Sequence, residues 1–343
     1  MYDGTLPETD DEDVRVTSDT EMGFIGSLEP SAQDVIGEII MQTLGGRSYR
    51  REQRAACSRM VSEMYSPPRV TAEIKRSKHR HLVPGFALDL TVLDPDGNMP
   101  WDFSRKSKRD KARSMRREQR PYMLIGSPDC KAFSTLQAIN EARAVDASAY
   151  RIAKAKSVKH VNFMIELYRE QMEEGHYFLH EHPRWATSWK LPEMEKLMAM
   201  PGVGLSHGDQ CQYGAEAQSG AGLGMPILNP TGFLSNSVKV LGELSRRCEG
   251  KDGQCSRPRR TSGEAPDRHV SCTGRRARDA ARYPRALCMA MLRGVTQQLR
   301  EDNLLKNGCY GIQVPDDDAE VLRDIMGPAQ GFSGKYKDDL TGQ

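Results

Sequence analysis

A cysteine stands where a short apolar segment of the chain ends. In "LIGSPDCKAFSTLQ" (residues 124–137), Tyr122–Ile125 is predicted to be a strand, and Gly126–Pro128 interrupts it. This leaves Cys130 at the tip of the following loop. In an α/β sheet, ligands bind beyond the carboxyl ends of the strands. Cys130 is therefore either a buried small hydrophobe, which is the commoner role, or a nucleophile at a ligand site.

Strand and helix signals alternate around this loop. The other strand signals are "PGFALDLTVLD" (84–94) and "YFLHEHP" (177–183), and the helix signals are a basic run at 105–120 and an amphipathic stretch at 158–176. The alternation from residue 63 to 183 predicts an α/β fold with a doubly wound, mostly parallel sheet. Its loops would form a ligand crevice along one edge.

Further elements flank this alternation. "SYRREQRAACSRMVSEMY" (48–65) is predicted to be a helix that ends before "SPPRV" (66–70). "YPRALCMAMLRGVTQQL" (283–299) is predicted to be a helix with a proline near its start. "GDQCQYG" (208–214) and "NPTGFLSNS" (229–237) are turn-rich and strand-like, so the C-terminal part is expected to be irregular.

Composition bounds the class of protein. The 343 residues are 38% hydrophobic and 28% charged, with a net charge of +2, as expected for a globular chain with polar ends. No apolar run approaches the ~20 residues that cross a membrane, and the acidic N-terminus differs from a signal peptide. Eight cysteines without a CxxC pair favour a reducing compartment. We therefore expect a soluble, intracellular protein, with a monomer favoured.

Charge is unevenly distributed along the chain. Residues 1–22 hold eight acids and one arginine, which is typical of a disordered tail. Residues 105–120 hold nine Lys or Arg and two acids. This basic run is equally compatible with a solvated helix face and with a surface that contacts phosphates.

The polar segment at 249–282 raises the question of zinc. Cys248, Cys255, His269 and Cys272 are separated by six, thirteen and two residues, which matches no strong zinc pattern. We therefore expect no metal, and we interpret the segment as a flexible loop.

The order of several motifs resembles that of the DNA cytosine carbon-5 methyltransferases, as a divergent relative of their compact, phage-like members. "GSPDCKAFS" resembles the family's catalytic loop, Gly-Pro-Pro-Cys-x-x-Phe-Ser, and "FLHEHP" resembles its Glu-Asn-Val strand end. "DQCQYG" followed by "NPTGFLSNS" resembles a Tyr-Gly and then a Lys-Pro-Thr, and "YPRALC" resembles the closing Pro-x-x-Leu helix. The resemblance spans about residues 62–300 and implies a Rossmann-like methyltransferase fold.

The resemblance implies covalent catalysis on a flipped cytosine. Carbon-5 of cytosine is a poor nucleophile, so a thiolate, here Cys130, would add to carbon-6. A carboxyl group, here Glu181, would meet the ring nitrogen and share a proton with it. The base must leave the duplex to reach both groups. The implied partner is DNA, with RNA left open, and the implied location is the nucleus in a nucleated cell.

The resemblance also implies S-adenosylmethionine as the methyl donor. Asp89 would bind the ribose hydroxyls, Asp102 the adenine amino group, and Tyr65 would stack on the adenine. The full set of implied cofactor residues is Tyr65, Ser66, Asp89, Asp102 and Pro128, and that of substrate residues is Ser134, Gln210, Tyr213, Thr231 and Asn236. Residues 215–282 would read the DNA.

Charge, periodicity and the resemblance together divide the chain into segments. These are an acidic disordered tail (1–30), a helical extension (31–62), a methyltransferase-like catalytic core (63–200), a target-recognition-like region with the closing helix (201–300) and an appendix (301–343).

Four departures from the family pattern keep other functions open. Ser66-Pro67-Pro68-Arg69 stands at the glycine-rich cofactor loop, Asp129 replaces a proline, Gln212 stands where an arginine is usual, and Asn229 replaces a lysine. These departures and the basic run favour, as the alternative, a catalytically inactive nucleic-acid-binding protein with the same fold. A second alternative is a cysteine hydrolase that pairs Cys130 with His180 or His182.

Overall fold

The structure describes the central part of the chain. The computed structural model covers residues 59–77, 79, 81–220, 222–257, 268–279 and 282–305. The predicted acidic tail, most of the helical extension and nearly all of the appendix lie outside these residues. Among the described helices, none is both long and apolar enough to cross a bilayer.

Six strands form one sheet in the order β2-β1-β5-β6-β8-β7, and two short strands form a separate hairpin. The strands are β1 Met60–Met64, β2 Val83–Leu88, β3 Leu93–Asp94, β4 Met99–Pro100, β5 Met123–Gly126, β6 Tyr177–Pro183, β7 Gly204–Asp209 and β8 Pro230–Ser235. β2, β1, β5 and β6 are parallel, whereas β8 runs antiparallel to both β6 and β7. β3 pairs with β4 in the hairpin.

Eight helices accompany these strands within the described residues. They are α1 Val70–Arg76, α2 Lys106–Gln119, α3 Thr135–Arg143, α4 Ser148–Glu173, α5 Pro192–Met198, α6 Val238–Glu243, α7 Gly274–Asp279 and α8 Arg285–Glu301. Short 3₁₀ turns occupy Lys131–Phe133, Thr187–Lys190 and Gln210–Tyr213.

Both faces of the sheet are buried, which makes the fold doubly wound. In β5, Met123 and Ile125 belong to the core under α1 and α8, whereas Leu124 belongs to the core under α4. Side chains alternate between the two faces of a strand, so a strand covered on both faces is apolar throughout. The predicted fold class, a doubly wound and mostly parallel sheet of the Rossmann-like methyltransferase type, is confirmed by this sheet.

The prediction of a helix over 48–65 is wrong at its C-terminal end, where β1 is a strand. Met60, Val61 and Met64 follow a helical spacing in the sequence, and Glu63 reads as a surface residue. In the structure Glu63 is fully buried, because its carboxylate accepts hydrogen bonds from the loop that follows. The predicted strand 84–94 also ends early, since β2 stops at Leu88 and the chain turns into the hairpin.

The basic run forms α2, and its charges are paired within the protein. Four arginines of the run bind glutamates of α4 or the Glu174 that follows it, in the pairs Arg113–Glu166 (2.6 Å), Arg116–Glu174 (2.6 Å), Arg117–Glu170 (2.5 Å) and Arg120–Glu174 (3.0 Å). Lys108 and Lys111 bind Asp94 of the hairpin. These pairs join two helices, so the basic run gives little support to a phosphate-binding surface.

Gly126 leaves no room for a side chain at the end of β5. A Cβ there would lie 2.2 Å from the hydroxyl oxygen of Tyr168 and 2.5 Å from the Cε of Met164. We expect Gly126→Ala to lower the free energy of unfolding by about 1–3 kcal/mol, because the packed α4 side chains must move. Denaturant unfolding measures this loss.

Gly97→Ala is the matched control, because a Cβ at this exposed turn meets nothing within 4 Å. Equal unfolding free energies for the two variants would contradict the packing argument.

Candidate functional site

The parallel register brings the ends of three strands to one level. Met64 pairs with Leu88 and with Gly126, and Gly126 pairs with His180. The loops after β1, β2 and β5 therefore start side by side at the carboxyl edge of the sheet, and β6 continues past them to Pro183. Tyr65, Asp89, the Cys130 loop and Glu181 are gathered there, as the sequence analysis predicts.

The Cys130 loop is anchored at both ends. The Pro128 carbonyl accepts a hydrogen bond from Nε2 of His182 at 2.9 Å, which ties the loop to β6. Beyond Cys130, buried Phe133 fixes the 3₁₀ turn, and Ser134 caps α3 by accepting a hydrogen bond from the Gln137 N–H at 3.3 Å. Pro128 and Ser134 thus hold the loop in place. Cys130 lies between them, half-buried.

Cys130 and Glu181 influence each other's protonation. Burial raises the pKa of the Cys130 thiol to about 12, and the carboxylates of Glu181 and Asp129 add to this rise. Burial also raises the pKa of Glu181 to about 7, while Tyr283 and Arg69 oppose the rise. At neutral pH the thiol therefore keeps its proton, and Glu181 is close to half protonated.

Tyr283 positions the Glu181 carboxyl group. Its hydroxyl donates a hydrogen bond to Oε2 of Glu181 at 3.0 Å and also contacts Oγ of Ser127 in the cysteine loop. The Arg69 guanidinium stacks on the Tyr283 ring at 4.9 Å. The sequence analysis missed both residues, because they come from the loop before α8 and from the "SPPR" segment, far from Cys130 in the chain.

The two neighbouring histidines are structural. Both ring nitrogens of His182 are used, one by the Pro128 carbonyl and the other by Oγ of Ser188 at 2.7 Å. Burial lowers the pKa of His182 to about 4. The buried ring of His180 binds the Tyr168 hydroxyl and packs on Trp189. This arrangement does not provide the imidazole base that a cysteine hydrolase requires.

A cavity of about 650 Å³ opens beside the cysteine loop. Tyr65, Asp89 and Asp102, three of the predicted cofactor residues, line it together with Ser127 and Asp129 from the loop. Its size lies within the range of small-molecule sites. The structure thus brings three of the five predicted cofactor residues together in one concave space, whereas Ser66 and Pro128 do not line it.

Aromatic side chains form one wall of the cavity. The Tyr65 ring lies 4.7 Å from that of Phe103, and its hydroxyl binds Nδ1 of His160 at 2.9 Å. Tyr65 has φ 57°, in the left-handed region that non-glycine residues rarely adopt. His160 was missed by the sequence analysis, although it lies four residues before Met164 on the predicted helix and so shares its face.

The two acidic residues suit a nucleoside. Oδ1 of Asp89 caps Thr91 by accepting from its N–H at 2.9 Å, and Oδ1 of Asp102 caps Ser104 in the same way at 3.0 Å. Oδ2 of Asp89 remains for a ligand hydroxyl, whereas Oδ2 of Asp102 lies 3.8 Å from Nε of Arg105 and would share that charge with a ligand amino group.

The "SPPR" loop after β1 is held by Glu63. Its Oε1 accepts hydrogen bonds from the N–H groups of Arg69 (3.0 Å) and Thr71 (2.7 Å), and its Oε2 accepts from Oγ of Ser66 at 3.0 Å. Ser66 is therefore fully buried beneath the loop and does not line the cavity. A carboxylate thus fixes this loop, which stands where the family that the sequence resembles has a glycine-rich one.

The structure separates the predicted substrate residues. Nε2 of Gln210 donates to Oγ1 of Thr231 at 3.0 Å, and both side chains are buried near the end of β7. The Tyr213 hydroxyl donates to the Glu243 carbonyl within the α8 core. Asn236 binds the backbone of His176 and Phe178, at the opposite edge of the sheet from Cys130. Tyr213 and Asn236 are therefore not brought to the site.

The raised pKa of Glu181 predicts a pH-dependent stability. The folded state holds the Glu181 proton more tightly than the unfolded state, so this residue's contribution to stability is present below pH 4.5 and is lost as the pH rises through 7. Glu181→Gln should therefore gain stability relative to the wild type between pH 5 and 8, by ~1–3 kcal/mol. Denaturant unfolding over this pH range measures the difference.

Glu193→Gln serves as the control, because hydrogen bonds from Lys196 and Arg169 lower the pKa of Glu193. If the free energies of unfolding of the wild type and of Glu181→Gln change in parallel from pH 5 to 8, the raised pKa of Glu181 is wrong.

Comparison with known proteins gives limited information. No protein-family model matches the chain, and no curated protein matches it. One solved structure with which it aligns is titled as a structure analysis of the Entamoeba histolytica methyltransferase EhMeth, with a TM-score of 0.30 and 13% identity. The alignment covers 51% of this chain and 52% of that chain, so the chain spans about half the length of that protein. The fold assignment rests on the sheet order described above.

Proposed function

We propose that this protein is an S-adenosylmethionine-dependent methyltransferase that acts on carbon-5 of cytosine in DNA, with Cys130 as the nucleophile. The observation that carries this proposal is the meeting of Cys130 and Glu181 at the carboxyl edge, directly beside the cavity lined by Tyr65, Asp89 and Asp102. This reaction needs a thiol, a carboxyl group that can carry a proton, and a cavity large enough for a nucleoside.

S-adenosylmethionine, when bound, supplies a methyl group on a positively charged sulfur. Asp89 would hold its ribose hydroxyls, Asp102 its adenine amino group, and Tyr65 would stack on the adenine. Asp129 and Lys131, the two neighbours of Cys130 in the chain, line this cavity. The protein would thus bind the donor and the acceptor base at the same loop.

Cys130 and Glu181 would share the chemistry on the base. The thiol loses its proton to solvent, the sulfur adds to carbon-6, and Glu181 gives its proton to the ring nitrogen N3. Carbon-5 would then take the methyl group as the bond between that group and the donor's sulfur breaks, and it would lose its hydrogen to solvent as a proton. The carbon–sulfur bond breaks, and N3 returns its proton to Glu181. The half-protonated state of Glu181 suits both proton transfers.

An exposed aromatic side chain beside the site supports a nucleic-acid substrate. Trp185 follows β6 and is 65% exposed, and the Arg184 guanidinium stacks on its ring at 4.5 Å. Aromatic rings and arginines together bind unstacked bases and phosphates. These two residues follow Glu181 closely in sequence, at the edge where a flipped base would enter.

The second candidate function is a nucleic-acid-binding protein that has lost catalysis. The observation that favours it is the Cys130 thiol pKa of about 12, because a thiolate is the reactive form. In addition, Glu63 already uses the N–H groups of Arg69 and Thr71 in the loop after β1.

Covalent trapping tests the proposal. DNA that contains 5-fluorocytosine blocks the loss of the carbon-5 substituent, so a working enzyme remains attached. We expect a denaturation-resistant adduct that forms only with S-adenosylmethionine and is absent in Cys130→Ala. Cys272→Ala is the matched control, because Cys272 is, like Cys130, a free and half-buried cysteine.

The outcomes separate the two candidates. An adduct that persists in Cys130→Ala would exclude Cys130 as the nucleophile. Retardation of the DNA in a gel without any adduct would favour the inactive binding protein. Fluorocytosine-containing RNA in the same assay distinguishes the two nucleic acids.

Cofactor binding can be tested without turnover. We expect Asp89→Asn to weaken S-adenosylmethionine binding about 10-fold, because one hydrogen bond to a charged group contributes roughly 1.5 kcal/mol. Asp96→Asn, an exposed acid of the neighbouring hairpin turn, should leave the affinity unchanged. Isothermal titration calorimetry measures both, and equal affinities would place the ribose elsewhere.

A further inference from the structure

Three cysteines and a histidine meet away from the Cys130 site. One ligand atom from each of Cys211, Cys248, Cys255 and His269 lies within 4.8 Å of the ligand atoms of the other three. Cys211 and Cys255 are buried, and Cys248 and His269 are half-buried. These residues come from three separate segments of the chain, so the fold, and not local sequence, assembles the group.

We propose that these four side chains bind one structural Zn²⁺ ion, through the Sγ atoms of Cys211, Cys248 and Cys255 and Nε2 of His269. Three thiolates and one imidazole are a common ligand set for structural zinc, which is four-coordinate and tetrahedral. With all four positions filled by protein, the ion would stabilise the fold and perform no catalysis.

The distances suit this geometry. The Sγ atoms of Cys248 and Cys255 are 3.9 Å apart, and Sγ of Cys248 is 3.6 Å from Nε2 of His269. Around a tetrahedral zinc, with Zn–S about 2.3 Å and Zn–N about 2.0 Å, the corresponding separations are roughly 3.8 and 3.5 Å. A disulfide requires an S–S distance of about 2.05 Å, so Cys248 and Cys255 are not bonded.

N–H groups surround the three cysteine sulfurs and donate hydrogen bonds to them. The backbone N–H of Ser256 donates to Sγ of Cys248 at 3.4 Å, and Nε2 of Gln212 donates to the Sγ atoms of Cys211 (3.7 Å) and Cys255 (3.8 Å). Donors of this kind orient ligands around an ion and offset the negative charge of the thiolates. All three sulfurs have at least one such donor.

The backbone is shaped to present the ligands. Asp209 lies at the end of β7, two residues before Cys211, and it accepts a hydrogen bond from the N–H of Cys248 at 2.7 Å. This hydrogen bond brings Cys211 and Cys248 together. The turn from Cys248 to Cys255 is tight, since a Cβ on Gly250 would lie 1.9 Å from the Gln254 carbonyl oxygen. The His269 N–H binds the Gly253 carbonyl at 2.7 Å, which closes the third segment onto this turn.

The structure revises the ligand set considered from sequence. Spacing alone groups Cys272 with Cys248, Cys255 and His269, whereas the structure replaces Cys272 by Cys211. Cys272 is half-buried and does not belong to the group of four ligand atoms. The ion would thus fasten the region predicted to read DNA to the end of the sheet.

Metal analysis of the purified full chain tests the site. We expect about one zinc per chain by mass spectrometry of the metal content, and chelation should lower the Tm by at least about 5 °C. Replacement by Co²⁺ should give sulfur-to-cobalt charge-transfer bands and the visible bands of a tetrahedral site. The proposal is overturned if the chain, purified under reducing conditions, contains no bound zinc and also gives no cobalt spectrum.

Variants identify the ligands. Cys211→Ser and His269→Ala should lose the zinc, whereas Cys272→Ser, the matched control, should retain it. His269→Cys should also retain zinc, with a cobalt spectrum shifted by the fourth sulfur, and this variant keeps the test valid if the loss variants fail to fold. Loss of zinc in Cys272→Ser with retention in Cys211→Ser would overturn the assignment.

Discussion

The parallel pairing of β1, β5 and β6 is the constraint on which the candidate site depends. β5 is only four residues long and is buried on both faces, so its register is fixed by two cores at once. A slip of one residue would turn Met123 and Ile125 to the wrong face and move the Cys130 loop by about 3.3 Å relative to Glu181. The meeting of thiol, carboxyl group and cavity is therefore a consequence of core packing beneath them.

Charged side chains are paired with opposite charges at the surface, whereas in the site Glu181 is bound by a neutral hydroxyl group. Arginines of α2 form ion pairs with glutamates at the C-terminal end of α4, so the most basic segment of the chain holds two helices together. In the site, the carboxyl group of Glu181 faces the neutral hydroxyl of Tyr283 and a more distant arginine, and burial raises the pKa values of both Glu181 and Cys130. The proposed nucleic-acid substrate would therefore meet the protein beside this weakly charged site and not along α2.

The sequence allowed much of the sheet to be predicted, because strands buried on both faces and bounded by turns have a clear pattern. "YFLHEHP" matches β6 to the residue. β1 was missed because a buried glutamate looks like a surface residue until its hydrogen-bond donors are known. Tyr213 and Asn236 occupy motif positions but bind backbone groups, and motif spacing cannot show where a side chain points. Cys211 joins the thiol cluster only through tertiary contacts, which no spacing rule contains.

Tyr65 carries a consequence for how this protein could change. Its left-handed backbone costs about 1–3 kcal/mol in a residue with a Cβ, and a glycine would adopt it freely. The same residue supplies the aromatic wall of the cavity and the hydroxyl that holds His160. The backbone and the side chain thus make opposite demands on one position. A glycine would relieve the backbone but would lose the ring that packs on Phe103 and forms the wall of the cavity, so the strained conformation is kept together with the aromatic side chain.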